Sequence, residues 1–281
     1  MYTPFHLTRF DMFQRIAFFF CFFLSPLAAA PIGNPCNPGL MNSGLFSASN
    51  PWVKATTGYL ADYVSDLRLE LASGSSDTAA LDPDKTFSRY GLHSQMASFS
   101  LVLLQRLEAY GLLGGTKEHL KWHNEPESPF YSSLFELQTT YHFSWATGLR
   151  VILLQWGQTF FSVEGSYFAV PSSHKAFFKF LNRLNLNLQE GEQEFYLREW
   201  EGSAALSSRF WIITPYAGIS YLNTKLKIQS GPDTTALTYR NEKSLGYFYG
   251  CTLSLTSKFI FTLERRVVNE FAYMFSTQAV F

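Results

Sequence analysis

Beyond its N-terminal segment the chain alternates apolar and polar residues with a period of two, and no later stretch is apolar for long enough to span a membrane as a helix. The last twelve residues show the pattern most clearly. Phe271, Tyr273, Phe275, Ala279 and Phe281 fall on one face, and Glu270, Ser276 and Gln278 on the other. One face suits lipid and the other water. A terminal strand of this kind needs a paired edge, which a closed barrel supplies by joining its last strand to its first. The same alternation fits a terminal strand of a soluble sheet, or a soluble ligand-binding barrel with its apolar face inside.

The N-terminus separates these readings. Arg9 and Arg15 precede an almost unbroken apolar run from Ile16 to Leu27, followed by Ala28, Ala29 and Ala30. The run is about a dozen residues, short of the roughly 20 a spanning helix needs, and reads as a secretory signal peptide cleaved after Ala29. Cys21 lies inside the apolar run without the small residues of a lipoprotein box. The expected organisation is a signal peptide over 1–29, an N-terminal periplasmic or plug segment over 30–56, and a barrel over 57–281.

Aromatic residues make up 17% of the chain, with 28 Phe and 15 Tyr, which is more than a soluble domain needs. A membrane barrel uses them as an outward surface and as girdles at both interfaces. Acidic and basic residues balance at 22 each, so neither nucleic acid nor a basic membrane patch is indicated. The mature chain keeps Cys36, in a proline-flanked loop segment, and Cys251, on the apolar face of its strand. An unpaired Cys36 thiol in an oxidising compartment would be available for an intermolecular disulfide.

The pattern predicts an all-β fold, a transmembrane antiparallel β-barrel of the outer-membrane type. Strands are read near 59–71, 92–105, 108–116, 135–153, 159–170, 176–188, 193–209, 212–228, 243–256, 258–267 and 270–281. Residues 105–108 form a short periplasmic turn in this reading, and 135–153 is one long strand or two with a bulge. With both chain ends in the periplasm the strand number is even, and 12 is expected within a range of 10 to 14. Polar-face positions give the pore-lining set Asp62, Asp66, Arg68, Glu70, Glu136, His142, Arg150, Glu164, Glu199, Glu201, Arg209, Glu264 and Arg266. Phe271, Tyr273, Phe275 and Phe281 are read as the assembly signal.

Several blocks resemble a known family in collinear order. They are Pro31 to Pro35 with Pro38 to Met41, Gly58-Tyr59 with Asp62 to Val64, Leu104 to Tyr110 with Leu113 to Thr116, and Phe143 to Arg150. Glu199 to Glu201, Ala205 to Ser207, Thr214 to Ile219, Glu264 to Glu270 and the terminal Phe281 continue the series. The set is similar to the chlamydial major outer membrane protein family of porins. The resemblance implies a general diffusion porin in a cysteine-rich, disulfide-crosslinked coat. This chain is shorter, with compact segments where the family has long surface loops, and it has lost nearly all of those cysteines.

No nucleophile elbow, zinc helix, phosphate loop or paired-cysteine pattern occurs, so no enzyme activity, cofactor or metal is expected. His142 near Ser144 on the polar face is read as a lumen-lining imidazole before a hydrolase element. The expected function is passive diffusion of ions and small hydrophilic solutes, with mild cation preference because acids outnumber bases in the lumen set. The alternative is a closed barrel, plugged by side chains or by residues 34–53, serving as a coat component or adhesin. Expected partners are outer-membrane lipid, the barrel assembly machinery, and a homo-oligomer or a disulfide link from Cys36 to other coat proteins.

Overall fold

The computed structural model describes residue 34 and residues 53–73, 89–124, 133–173, 176–182, 185–191, 194–229, 236–256 and 259–281. The expected signal peptide, its expected cleavage point and Cys36 lie outside the described residues. All regular structure described is β-strand. In chain order the strands are β1 (Val53–Leu67), β2 (Leu69–Ser73), β3 (Arg89–Leu103), β4 (Leu107–Asn124), β5 (Ser133–Thr139), β6 (His142–Trp156), β7 (Thr159–Ser173) and β8 (Ala176–Asn182). They continue as β9 (Asn185–Gly191), β10 (Glu194–Ser208), β11 (Ile213–Gln229), β12 (Leu237–Asn241), β13 (Leu245–Thr256), β14 (Phe259–Val267) and β15 (Glu270–Val280).

Ten of these close into an antiparallel ring, in the order β1, β3, β4, β6, β7, β10, β11, β13, β14 and β15. The seam pairs β15 with β1 from Thr56↔Val280 to Leu67↔Glu270, and Phe281 N donates to Ala55 O at 2.9 Å. No ring strand is left with an open edge, which is the condition for crossing lipid with strands. The ring holds ten strands, within the expected range of 10 to 14 and two fewer than its central value of twelve. The segment read as one strand over 176–188 is a hairpin, β8 with β9, which pairs onto β5 outside the ring. The long alternating stretch from Phe135 breaks at Thr140 and Tyr141 into β5 and the ring strand β6.

The connections at 104–106, 157–158 and 209–212 are short and lie at the same end as Val53 and Phe281. In outer-membrane barrels this is the periplasmic end. The other end is extended by β2 pairing with β12 and by the sheet of β5, β8 and β9.

Large apolar side chains project outward from the ring. Tyr59, Tyr63, Phe99, Leu101, Leu149, Trp200, Ile219, Leu245 and Phe271 are 37% to 65% exposed. This sense of the alternation is opposite to that of a soluble ligand-binding barrel, whose apolar side faces in. Trp145, Tyr167 and Trp200, on three adjacent strands, stack at centroid distances of 5.3 and 4.7 Å as part of an outward aromatic girdle. Cys251 lies half-buried on the same outward side.

A β-bulge in β1 corrects part of the expected inner surface. The register with β15 shifts between Val64 and Asp66, and both Val64 and Ser65 are buried. One extra residue reverses every side chain that follows. Leu67 and Leu69 therefore point inward, at 0% and 1% exposure, whereas Arg68 and Glu70 face solvent. Asp66 shares their side of the strand and does not line the lumen.

Two tyrosines depend on a glycine across the strand pair. Tyr110 lies opposite Gly148 and Tyr216 opposite Gly250. A Cβ on Gly148 would stand 2.4 Å from the Tyr110 hydroxyl, and one on Gly250 would stand 2.5 Å from that of Tyr216. Each ring lies flat over the bare backbone of its neighbour. Gly148→Val and Gly250→Val should each displace the ring and destabilise the barrel by about 1–3 kcal/mol. The measurement is the temperature at which the compact band on a detergent gel converts to the unfolded one, which should fall for both.

Candidate functional site: the barrel lumen

Taken together, the inward positions of the ring strands carry small hydroxyl residues, a belt of charge contributed by β1, β4, β6, β7, β10, β14 and β15, and, toward the extended end, large apolar residues. The hydroxyls pair between adjacent strands, as Thr56 with Ser100 at 2.7 Å and Thr252 with Thr262 at 3.1 Å. Asn34, from the segment read as a periplasmic or plug element, is fully buried and donates to Thr252 Oγ1 at 3.1 Å.

Two arginines organise the charge. Arg150 donates from Nε to Glu164 at 3.0 Å and from Nη1 to Glu108 at 3.3 Å, so β4, β6 and β7 are tied together on their inner side. Its guanidinium lies 4.2 Å from the centre of the Tyr110 ring, and the Tyr110 hydroxyl donates to the other oxygen of Glu164. Arg266 is the larger hub. It lies 3.2 Å from Asp62, 3.4 Å from Glu264, 3.6 Å from Glu270 and 4.0 Å from Glu201. Tyr216 donates to the second oxygen of Glu264 at 2.7 Å, repeating around Arg266 the tyrosine, carboxylate and arginine grouping found around Arg150. Glu199 accepts from Thr224 Oγ1 at 3.1 Å.

Buried charge is strongly acidic. Asp62, Glu108, Glu118, Glu164, Glu199, Glu201, Glu264 and Glu270 stand against Lys54, Arg150 and Arg266. Of the pore-lining residues read from sequence, Asp62, Arg150, Glu164, Glu199, Glu201, Glu264 and Arg266 share this belt. His142 is half-exposed at the end of β6, bonded through Nε2 to Thr140 Oγ1 at 3.0 Å. Ser144 instead accepts from Thr116 at 2.8 Å, so the pair is not hydrogen-bonded as a nucleophile and base would be. Arg209 sits in the connection between β10 and β11, below the ring and not within it. Glu136 is on β5, outside the ring, and its side chain lies outside the described residues.

Sequence reasoning did not place Lys54, Glu108, Glu118 or Glu270 in this set. The turn expected over 105–108 ends at Arg106, and Glu108 is the second residue of β4. Glu270 was seen on the polar face of β15 but not as a partner of Arg266. The parity of β4, where Glu108, Tyr110, Thr116 and Glu118 share one face, is the signal that would have found two of the four. Glu118 is 1% exposed, and neither of its carboxyl oxygens has a hydrogen-bond partner.

Above the belt the lumen is filled. Leu67, Leu69, Leu120, Leu137, Phe195, Leu197, Leu222 and Leu226 belong to one buried apolar cluster and are each at most 2% exposed. Within the belt, two cavities lined by Tyr110 measure about 10 and about 20 Å³. Such a space holds about one water. Arg266→Met would leave four carboxylates without the cation they share, and should cost about 3–5 kcal/mol. The expected result is lower thermal stability of the refolded barrel with its strand content unchanged by circular dichroism.

No protein-family model matches the sequence. The chain is 24% identical to the major outer membrane porin of Chlamydia trachomatis serovar L1 and 25% identical to that of serovar L3, over 70% of each chain. Among solved structures, the outer membrane protease OmpT from Escherichia coli aligns at a TM-score of 0.36 with 10% identity, covering 81% of this chain and 94% of that one. The Pseudomonas putida toluene transporter TodX aligns at 0.33 with 9% identity, covering 90% and 93%. The chain is similar in sequence to the chlamydial major outer membrane porins, and its closed ring of strands with an outward apolar surface is a barrel of the outer-membrane type.

Proposed function

We propose that this protein is a narrow outer-membrane channel that lets small cations diffuse passively and carries out no covalent chemistry. The observation that carries the reading is, among the described residues, eight buried carboxylates against three buried cations inside a closed ten-stranded ring. Fixed negative charge within a low-dielectric tube raises the local concentration of cations and repels anions. Similarity to proteins named as porins supports the channel class. Water-sized cavities and the apolar filling at the extended end favour ions over larger hydrophilic solutes, and the filling gives a constriction of the kind that gates by excluding water.

That same filling favours a second reading, in which the barrel stays shut and serves as a coat component or adhesin. Conductance of refolded protein in a planar bilayer separates the two. Discrete openings, with a reversal potential in a KCl gradient on the cation-selective side, are expected for the channel. Glu199→Gln with Glu201→Gln should reduce that selectivity. A silent bilayer containing folded, heat-modifiable protein would support the closed coat barrel instead, and anion preference would overturn the selectivity claim.

For assembly, we propose that β15 is the strand the barrel assembly machinery recognises, through outward Phe271, Tyr273, Phe275 and Phe281. Both faces of β15 are committed, with Phe271 and Phe275 exposed outward and Glu270, Ala272 and Met274 buried. Deleting Phe281 should lower the yield of protease-resistant barrel in outer membranes several-fold while leaving the conductance of inserted molecules unchanged. Normal insertion of the deletion would remove this role.

A further inference from the structure

The outward side of β10 and β11 changes character toward the extended end, where β12 replaces β13 as the neighbour of β11. Strand register arranges this side in rows around the ring. Ile219 and Tyr247 share one row, Tyr221 and Leu245 the next, and Tyr167 and Trp200 the third. The row beyond Trp200 is basic, with Arg198 opposite Lys225 and Lys225 opposite Arg240. One step further Tyr196 faces Lys227, whose Nζ lies 5.8 Å from the centre of the tyrosine ring. Arg198 and Lys225 alternate with buried Leu197 and Leu226, so the group faces away from the lumen.

Residues directly opposite on paired strands lie about 5 Å apart, so successive cations in one row repel each other. Of the acids on β2, β10, β11 and β12, only Glu194 and Glu70 share this side. Glu194 accepts from the Tyr196 hydroxyl at 2.7 Å, and Glu70, opposite Arg240, makes no ion pair with it. Among the described residues the side chains of Arg198, Lys225 and Arg240 have no hydrogen-bond or ion-pair partner. A cavity of about 290 Å³ opens at this place, lined by Tyr196, Arg198, Lys225 and Lys227. Converging cations with free donors suit the oxygens of a phosphate, which an arginine fork can hold through two parallel hydrogen bonds.

The rows beside the cavity identify the carrier of the phosphate. Trp200 is two residues from Arg198 on the same face, about 7 Å along the strand. Exposed Trp200, Tyr221, Ile219 and Leu245 make the surface below it apolar and aromatic. Cations just beyond an aromatic girdle stand at the level of lipid headgroups. This end is opposite the short connections, so in an outer-membrane barrel it meets the outer leaflet. Several cations around one cavity favour the nearly doubly charged phosphomonoester of a phosphorylated sugar over the singly charged phosphodiester of a phospholipid. We propose that Arg198, Lys225, Lys227 and Arg240 bind a sugar phosphate of an outer-leaflet phosphorylated glycolipid, whose acyl chains lie along Trp200, Tyr221 and Ile219. The site is independent of whether the lumen conducts.

The test is native mass spectrometry of the refolded full chain in neutral detergent. It is titrated with diphosphorylated lipid A, with the same lipid freed of both phosphates, with phosphatidylglycerol, or with lipid A plus millimolar inorganic phosphate. One retained diphosphorylated lipid A is expected, held at least tenfold more strongly than either other lipid and unaffected by inorganic phosphate. Arg198→Gln with Lys225→Gln should abolish that preference while the compact, heat-modifiable band persists, whereas Arg106→Gln, at the other end of the barrel, should leave it unchanged. Should the double variant not fold, Lys225→Gln alone should reduce the preference several-fold. Equal retention of the lipids, unchanged preference in the folded variant, or an equal loss in Arg106→Gln would overturn the proposal. Displacement by inorganic phosphate would replace the lipid with a free anion and overturn it as well.

Discussion

Hydrocarbon offers no hydrogen-bond partner, so the seam between β1 and β15 is what the rest of the structure depends on. Eleven residue pairs join the first and last strands. Without them, two rows of backbone N–H and C=O groups would face lipid at several kcal/mol for each unsatisfied group. Closure also explains why β5, β8 and β9 are found at the extended end. A sheet with an open edge is tolerable only where water reaches it, and these strands pair away from the ring.

Closing a ring of only ten strands makes a narrow interior, and its contents follow from that width. Side chains reach past neighbouring strands, which is how Arg266 on β14 meets Asp62 on β1, two strands away around the ring, and Glu201 on β10, three strands away. A buried guanidinium is tolerated only with counter-charges around it, and the carboxylates tolerate one another only because Arg266 and Arg150 stand between them. The excess of acid nevertheless remains. The residues that hold the interior together therefore also set its charge, and a change at Arg266 alters both.

The inward direction of Asp62, Arg150, Glu164, Glu199, Glu201, Glu264 and Arg266 was legible because strand parity is local. It holds for as long as the strand is regular. It failed for Asp66, Arg68 and Glu70, where the extra residue near Ser65 reversed the faces, and no composition cue marks that bulge. It was also interrupted at Thr140 and Tyr141: Leu137 and Thr139 are buried, whereas Phe143 is exposed at the same odd parity. Arg209 was misplaced for a simpler reason, since β10 ends at Ser208. A one-residue error in a strand end moves a side chain from wall to turn.

The sequence by itself determined the class of the molecule: strands of period two, an aromatic face suited to lipid, and a polar face carrying more acid than base. These are properties of short segments, set by the alternation of side chains along one strand. Tertiary structure alone decided the number of strands in the ring, which carboxylates share Arg266, and that leucines close the space above them. Asp62 and Arg266 are 204 residues apart in the chain, and only ring closure brings them to 3.2 Å. Likewise, Leu67 and Leu69 became interior residues through a single bulge in β1. Partners across a lumen depend on register, ring size and closure together, and no local pattern encodes all three.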